Sequence, residues 1–326
     1  MKKIAFFNSK SYDIESFNEI VLNYNYDITY FGFRLTEKTA AYTKGFDAVC
    51  CFVNDDLNKN VCEILYKNGI RVILLRCAGF NQVDLEACKN KITVLRVPSY
   101  SPSSVAEHAA ALLLACNRKM HKAYLKTKNN NFDIDGLIGK NLENLTAGVI
   151  GTGKIGKVMI KILQGFGMNI IAYDTFQDTN SKINYVTLEE LYSNSDIITL
   201  HCPLTPDTKY MINEESILKM KDGIILINSS RGALIDTTAL INALKKNKFH
   251  AVGLDVYENE SELFFVDRSN EVVDDDNLNI LRGFDNVIMT SHQAFLTDCA
   301  LKAIAQTTLD NMDDYINGQD LKNIVL

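Results

Sequence analysis

Short apolar runs recur along this 326-residue chain, and the stretch between one run and the next is usually long enough for a helix. Five runs lie before residue 98, at 4–7, 28–31, 48–53, 71–75 and 93–97, and six more lie at 146–150, 169–173, 196–200, 223–228, 251–256 and 286–290. Parallel strands need a crossover connection, usually a helix, so this spacing predicts βαβ units. A chain of this length also exceeds what one hydrophobic core usually organises. We therefore expect an α/β protein with two doubly wound parallel-sheet domains and a ligand-binding cleft between them.

The composition excludes several classes of protein. Hydrophobic residues make up 47% of the chain and charged residues 23%, with a net charge of −6. Binding to nucleic acid or to anionic lipid usually needs a basic excess, which this chain lacks. The start has only four apolar residues before Asn8, too few for a signal peptide, and no later run approaches the roughly 18 apolar residues of a membrane span. We expect a cytoplasmic protein with no nucleic-acid or membrane partner.

The eight cysteines include no Cys-x-x-Cys pair. Their spacing fits neither a disulfide framework nor a zinc site, so free thiols and no bound metal are expected.

The four prolines fall in two pairs, Pro98 with Pro102 and Pro203 with Pro206, and each pair predicts a loop. After the first pair, Ser104 and Glu107 have the spacing of a capping box and predict the start of a helix there. The segment 109–115 is apolar on every face of that helix. It should be buried all round, between domains or between subunits, and we expect a homo-oligomer.

A glycine motif, G-x-G-x-x-G, follows the apolar run at 146–150 with Gly151, Gly153 and Gly156. The motif alone is a weak signal, but a helical stretch follows it and Asp174 ends the next run about 18 residues beyond Gly156. This context predicts dinucleotide binding, with backbone N–H groups facing the pyrophosphate at a helix N-terminus. Asp174 would bind the adenosine ribose and repel a 2′-phosphate, which favours NAD over NADP. The alternative is that Asp174 only caps the turn after its strand.

Charged residues follow three neighbouring apolar runs of the second set. Arg231 follows the first run and His292 follows the third. Asp255 lies at the end of the second run, with Glu258 and Glu260 after it. The carboxyl ends of parallel strands share one edge of a sheet, where ligands bind. Arginine can bind a carboxylate in bidentate fashion, histidine can protonate a nascent alkoxide, and a carboxylate can orient the histidine. This set of residues suits the reduction of a 2-oxo acid.

The chain resembles the D-2-hydroxyacid dehydrogenases through the segments 76–84 (RCAGFNQVD), 97–102 (VPSYSP) and 228–232 (NSSRG). The segments 201–206 (HCPLTP), 255–260 (DVYENE) and 292–297 (HQAFLT) are most similar to the fermentative bacterial D-lactate dehydrogenase branch of that family. The resemblance covers nearly the whole chain. One departure is Ser291-His292-Gln293, where many members have Pro-His-Thr.

The resemblance implies NADH-dependent, reversible reduction of pyruvate to D-lactate, with Arg231, Glu260 and His292 as the catalytic residues and no role for Glu258. It implies a flavodoxin-like substrate domain of residues 1–98 plus 297–326, a Rossmann NAD domain of residues 99–296, and a dimer or tetramer. The expected substrate contacts are Ala78, Gly79, Tyr100, Arg231, His292 and Phe295. The expected cofactor contacts are Gly151, Gly153, Lys154, Ile155, Gly156, Asp174, His201, Cys202, Pro203, Thr208, Ser229, Ser230, Arg231 and Asp255.

Other readings stay open from the sequence. One is a sister activity on glyoxylate, hydroxypyruvate, a branched 2-oxo acid, a phosphoglycerate or formate. Another is an NAD-sensing binding protein, like the transcriptional corepressors that share the fold, although the chain has no basic footprint. The histidines His108, His121 and His250 lie in predicted helical or connecting stretches where no acidic residue is expected to orient the ring, so they are not expected to transfer protons. His201 is expected to line the cofactor site without doing so.

Overall fold

The computed structural model describes residues 1–326, except for the side chain of Glu262. The chain divides into two compact units, one formed by Met1–Ser101 with Leu296–Leu326 and the other by Pro102–Phe295. The strands are β1 (Lys2–Phe6), β2 (Tyr26–Tyr30), β3 (Ala48–Cys51), β4 (Val72–Leu75), β5 (Thr93–Arg96), β6 (Thr146–Ile150), β7 (Asn169–Tyr173), β8 (Ile197–Leu200), β9 (Ile224–Asn228), β10 (Phe249–Leu254) and β11 (Val287–Met289). The helices are α1 (Ser11–Val21), α2 (Lys59–Lys67), α3 (Leu85–Cys88), α4 (Pro102–Asn117), α5 (Met120–Lys128), α6 (Lys154–Gly165), α7 (Leu188–Asn194), α8 (Glu214–Lys219), α9 (Thr237–Lys245), α10 (Asp276–Gly283) and α11 (Asp298–Ile316).

The first unit contains a parallel sheet in the order β2-β1-β3-β4-β5. This is the flavodoxin-like order, and its direction reverses between β1 and β3. Every residue of β3 and β4 is buried, as expected of parallel strands that are covered on both faces. The predicted doubly wound sheet is confirmed.

The second unit contains a parallel sheet in the order β11-β10-β9-β8-β6-β7. A parallel bridge between Ala172 and Tyr185 continues the sheet beyond β7. With that bridge counted as a short strand, the order is that of a Rossmann fold, and it reverses between β6 and β8. The predicted Rossmann architecture is confirmed. Within the described residues, no helix is long and apolar enough to span a membrane.

Helix α4 differs from its prediction in two respects. It begins at Pro102, so Ser104 lies inside the first turn and the predicted capping box is wrong. Proline is favoured at the first helical position because its missing N–H would have no partner there. Ala109 and Leu113 are fully inaccessible. Ala111 is exposed, however, so the expectation that the segment is buried all round is wrong. Its partners include α6 and β10 of the same unit.

A buried ion pair organises the strand ends of the first unit. Arg76, directly after β4, has Nη1 3.6 Å from Asp13 Oδ1, and both side chains are almost inaccessible. Arg76 Nη2 also donates to the carbonyl of Asn8 at 3.0 Å. Burial raises the pKa of Asp13, and the positive charge of Arg76 acts in the opposite direction. Arg96 donates to the carbonyl of Ala78 at 2.8 Å, so two arginines hold the loop that begins at Arg76.

Replacement of Asp13 by Asn is expected to destabilise the protein strongly, because it leaves the buried charge of Arg76 without its ion-pair partner. Loss of one partner of a buried pair usually costs about 3–5 kcal/mol of unfolding free energy. Urea denaturation measures this loss. The matched control is Glu19→Gln on the same helix, which removes an exposed pair with Lys302 and should leave the midpoint nearly unchanged. Equal midpoints for the two variants would contradict the role of the buried pair.

Candidate functional site

The glycine motif forms a tight turn between β6 and α6. Gly151 has φ +92°, in the left-handed region that favours glycine. A Cβ on Gly156 would lie 1.9 Å from the carbonyl oxygen of Gly151, so only glycine allows the helix to start this close to the strand. A Cβ on Gly153 would meet nothing within 4 Å, which leaves open space at the N-terminus of α6. Lys154 and Ile155 are the first residues of that helix. The turn therefore has the form of a pyrophosphate-binding site.

The loops after β6 and β8 meet at the point where the strand order reverses. A Cβ on Gly151 would lie 2.6 Å from the backbone nitrogen of Cys202. Ser230 Oγ donates to the carbonyl of Cys202 at 2.6 Å. Thr208 Oγ1 donates to the carbonyl of Pro203 at 2.7 Å, which orders the second proline loop. The structure thus brings these predicted cofactor residues to one edge of the sheet.

Asp174 connects the end of β7 to the glycine turn. Its Oδ2 accepts hydrogen bonds from the backbone N–H of Thr152 at 2.6 Å and from its hydroxyl at 3.0 Å. Its Oδ1 accepts the N–H of Phe176 at 2.9 Å. Asp174 therefore does cap its own turn, and it also holds the turn that contains the glycines. A carboxylate has about four acceptor positions, so it retains capacity for ribose hydroxyls. Thr152 was not singled out from the sequence, because its role depends on a contact with the next strand.

Two buried polar atoms at this edge fit a bound dinucleotide. Ser229 Oγ and His201 Nδ1 have no hydrogen-bond partner in the part of the chain that the structure describes. Buried polar groups are normally satisfied, so these atoms suit contact with a polar ligand. His201 Nε2 lies 2.9 Å from Thr199 Oγ1. Burial lowers the pKa of His201 to about 4, so its ring is neutral near pH 7.

Arg231 and His292 lie at the same level of the sheet edge. Strands β9, β10 and β11 are neighbours, and Leu254 pairs in register with Asn228 on one side and Met289 on the other. Arg231 and His292 each lie three residues beyond those partners. Strands β9 and β11 themselves are two strand spacings apart, about 10 Å. Arg231 Nη1 donates to the carbonyl of Ser230 at 2.7 Å.

His292 is paired with Glu260. His292 Nδ1 lies 2.7 Å from Glu260 Oε1, and both side chains are about one-fifth exposed. Glu260 Oε2 accepts the N–H of Tyr257 at 2.9 Å, which fixes the carboxylate. A carboxylate that is held in this way orients the imidazole.

The loop that contains His292 is held by the buried carboxylate of Asp255. Its two oxygens accept the N–H groups of Gln293 at 2.9 Å and Ala294 at 2.8 Å, and the hydroxyl of Thr290 at 2.6 Å. The carbonyl of Asp255 accepts the N–H of His292 at 2.6 Å. Burial works against ionisation, but these hydrogen bonds, with that of His108, lower the pKa of Asp255. Asp255 was expected to contact the cofactor; in the structure its oxygens are used to hold this loop.

The expectation that His108 lacks an acidic neighbour is wrong. His108 Nε2 lies 3.3 Å from Asp255 Oδ1 and 3.1 Å from Thr290 Oγ1, although these residues are far apart in the sequence. His121 Nε2 lies 3.0 Å from the carbonyl of Asp285 at the surface. Among the described side chains, no cluster of three metal-ligating residues occurs.

The remaining expected substrate contacts lie in two places. Ala78 and Gly79 follow β4, and Tyr100 follows β5, in the first unit. Phe295 ends the second unit and is 8% exposed.

The comparisons with known proteins agree with this geometry. Residues 110–294 match the family model described as D-isomer specific 2-hydroxyacid dehydrogenase, NAD binding domain. The chain is 49% identical to a 2-hydroxyacid dehydrogenase homolog of Haemophilus influenzae, with 99% of each covered. It is 47% identical to D-lactate dehydrogenase of Escherichia coli, with 98% of this chain and 99% of that protein covered. The solved pyruvate reductase of Chlamydomonas reinhardtii superposes with a TM-score of 0.95 at 41% identity, with 99% of this chain and 98% of that chain covered.

The fold, the glycine turn and the family match define an NAD-binding α/β dehydrogenase. The chain belongs to the D-isomer specific 2-hydroxyacid dehydrogenases and is similar over its whole length to members named D-lactate dehydrogenase. The family and the NAD cofactor that were expected from the sequence are confirmed.

We expect the charge of Asp174 to determine the choice of coenzyme. NADH should be used far better than NADPH, and Asp174→Asn should narrow the gap because it removes the repulsion of a 2′-phosphate. The ratio of kcat/KM for the two coenzymes, with one 2-oxo acid, measures the effect. Asp222→Asn, which changes an exposed carboxylate paired with Lys248, is the control and should leave the ratio unchanged. Equal use of both coenzymes by the unmutated enzyme would contradict this prediction.

Proposed function

We propose that the protein reduces pyruvate to D-lactate with NADH, reversibly. The proposal rests on the 2.7 Å contact between His292 and Glu260, beside a strand end that presents Arg231 at the same level of the sheet. A carboxylate-binding arginine and an oriented histidine are the two groups that a 2-oxo acid needs. Similarity to proteins named D-lactate dehydrogenase and pyruvate reductase supports pyruvate as the substrate.

In this proposal each residue of the catalytic set has one task. Arg231 binds the substrate carboxylate through two parallel hydrogen bonds, and His292 donates its proton to the carbonyl oxygen as that oxygen becomes a hydroxyl. Glu260 holds the ring in place for the transfer, and solvent restores the proton afterwards. Bound NADH would supply the hydride to the carbonyl carbon. In the reverse direction, His292 accepts the hydroxyl proton.

We assign the second unit as the NAD domain and the first as the substrate domain. The N-terminus of α6 would hold the pyrophosphate and Asp174 the ribose, while Ser229 and His201 would face the cofactor with their unpartnered atoms. The backbone of Ala78 and Gly79 would bind the substrate carboxylate, in line with the family resemblance.

We also propose that the protein is a homo-oligomer. Helix α5 has no buried residue, and the segment after it exposes three large apolar side chains, Phe132 at 74%, Ile134 at 79% and Ile138 at 81%. Large apolar side chains exposed within one short segment suit a protein interface. Light scattering should show a dimer or tetramer, and a stable monomer at micromolar concentration would refute the assignment.

We further propose that the protein is located in the cytoplasm, because its cysteines are unpaired. All eight cysteines are free in the described structure, and seven of them are buried. Unpaired thiols suit a reducing compartment. Recovery of the activity in an extracytoplasmic fraction of the source cells would argue against it.

His292→Ala is expected to lower the turnover number by about 10²–10⁴-fold, the usual contribution of a positioned acid, while NADH still binds. Glu260→Gln should lower the turnover number by a smaller factor, because the amide oxygen can still accept a hydrogen bond from the ring but carries no charge. Stopped-flow turnover measures both effects. An unchanged turnover number in Glu260→Gln would remove the glutamate from the mechanism.

Arg231→Lys is expected to lose most of the catalytic efficiency with pyruvate, because lysine keeps the charge but lacks the planar fork. Steady-state kinetics at saturating NADH measure it. Near-wild-type kcat/KM would show that the carboxylate is bound elsewhere.

The substrate itself is tested with a panel of 2-oxo acids and chiral analysis of the product. Phe295 is expected to limit the size of the substrate side chain, so 2-oxobutyrate should be a poorer substrate and branched or aromatic acids much poorer. Each methylene refused by an apolar pocket is worth roughly 1–3 kcal/mol. Phe295→Ala should shift the preference toward longer acids. L-lactate as product, or phenylpyruvate as a better substrate than pyruvate, would overturn the proposal in favour of a sister activity.

A further inference from the structure

Glu258 lies in the loop after β10, two residues before Glu260, and is half-buried. The family resemblance gives it no role. In the structure its carboxylate accepts two hydroxyl hydrogen bonds from other segments. Thr237 Oγ1 donates to Glu258 Oε2 at 2.9 Å, and the hydroxyl of Tyr210 donates to Glu258 Oε1. A solvated surface glutamate would not make two such long-range contacts.

The two donors come from the loops that flank Arg231. Thr237 is the first residue of α9, a few residues after Arg231. Tyr210 lies after β8 in the left-handed region, with φ +55°, and its N–H donates to the carbonyl of Ala233 at 2.9 Å. Glu258 therefore joins the segment after β10 to the segments after β8 and β9.

The backbone next to Arg231 lies in direct contact with the backbone of Tyr257 and Glu258. A Cβ on Gly232 would lie 2.0 Å from the carbonyl carbon of Tyr257 and 2.3 Å from the nitrogen of Glu258. Gly232 is the residue next to Arg231, and the N–H of Tyr257 holds Glu260 at 2.9 Å. The loop that presents the arginine and the loop that presents the glutamate thus rest directly on each other.

We propose that Glu258 is a positioning residue, which joins the loop of Arg231 to the loop of Glu260 and thereby fixes the carboxylate-binding group relative to the Glu260–His292 pair. This inference rests on the proposed function, because the position of Arg231 relative to His292 matters only if both side chains act on one substrate. A small displacement of a positioned group can lower a rate by up to about 100-fold.

The chemistry of the junction favours a carboxylate. A glutamate accepts both hydroxyls at once, whereas a glutamine has one acceptor oxygen, so one of the two hydroxyls would have to reverse its role and accept from the NH2 group. Hydrogen bonds to a charged acceptor are also stronger than neutral ones. The bond to Glu258 raises the pKa of Tyr210, which keeps its hydroxyl a donor.

The experiment compares Glu258→Ala and Glu258→Gln with the unmutated enzyme. For Glu258→Ala we expect kcat/KM for pyruvate to fall by about 10–100-fold, with a higher KM for pyruvate and unchanged affinity for NADH. For Glu258→Gln we expect kcat/KM and KM values between those of Glu258→Ala and those of the unmutated enzyme. Affinity for oxamate, an isostere of pyruvate, in the presence of NADH should fall in the same order and does not depend on turnover.

A matched control is Glu190→Ala. Glu190 accepts the hydroxyl of Thr187 at 2.8 Å, so this variant also removes a glutamate–threonine hydrogen bond, but at the start of α7. It should lower the melting temperature and leave the KM for pyruvate and the oxamate affinity unchanged. A loss of stability alone in Glu258→Ala, with the kinetics and oxamate affinity of the unmutated enzyme, would reduce Glu258 to a structural residue and overturn the proposal.

Tyr210→Phe and Thr237→Val test the same junction without changing its charge. Each should raise the KM for pyruvate, and Tyr210→Phe should add little to Glu258→Ala, because both remove the same bond. If the effects of Tyr210→Phe and Glu258→Ala on the KM for pyruvate add in full in the double variant, the proposal is contradicted. If Glu258→Ala folds poorly, an unchanged KM in both Tyr210→Phe and Thr237→Val would contradict it instead. If the unmutated enzyme fails to reduce pyruvate, the proposed function fails. The oxamate series, and the kinetics of whichever 2-oxo acid it does reduce, still decide the role of Glu258.

Discussion

The geometry of the site in the second unit depends on the buried carboxylate of Asp255. A buried charge is costly unless hydrogen bonds satisfy it, and here the N–H groups of Gln293 and Ala294 and the hydroxyl of Thr290 do so. If the loop between those donors moved away, the buried carboxylate would lose its hydrogen bonds. This restraint explains how His292 keeps φ +54°, a left-handed conformation that non-glycine residues rarely adopt.

Three acids after β10 each hold a different neighbour. Asp255 holds the loop after β11, Glu258 the loop after β9, and Glu260 the ring of His292. One short segment therefore sets the position of both flanking segments at the sheet edge. By contrast, His201 at the end of β8 is buried without a carboxylate and stays neutral. Two histidines at one edge of the same sheet thus differ in their surroundings: a carboxylate orients His292, whereas His201 is buried without one.

Much of this could be predicted from the sequence, and the failures have physical reasons. The strands at 146–150 and 169–173 were predicted to the residue, because each is a short, largely apolar run. The glycine turn and the pairing of a glutamate with His292 followed from motif and resemblance. The contacts of Asp255 with His108, and of Glu258 with Thr237 and Tyr210, join residues that are distant in the chain. No local pattern reports such contacts, and only the packed sheet and helices create them.

The first unit is made from both ends of the chain, and this affects how the protein is assembled during synthesis. Helix α11 packs against α1 and β4, and the terminal residues hydrogen-bond to β5, where the N–H of Val94 donates to the carbonyl of Leu326 at 2.8 Å. The ribosome makes the five strands of this sheet first and their last partners about 200 residues later. The inserted unit is complete by then, at the end of its own continuous segment. During synthesis the N-terminal sheet therefore has one edge and part of one face uncovered until α11 leaves the ribosome.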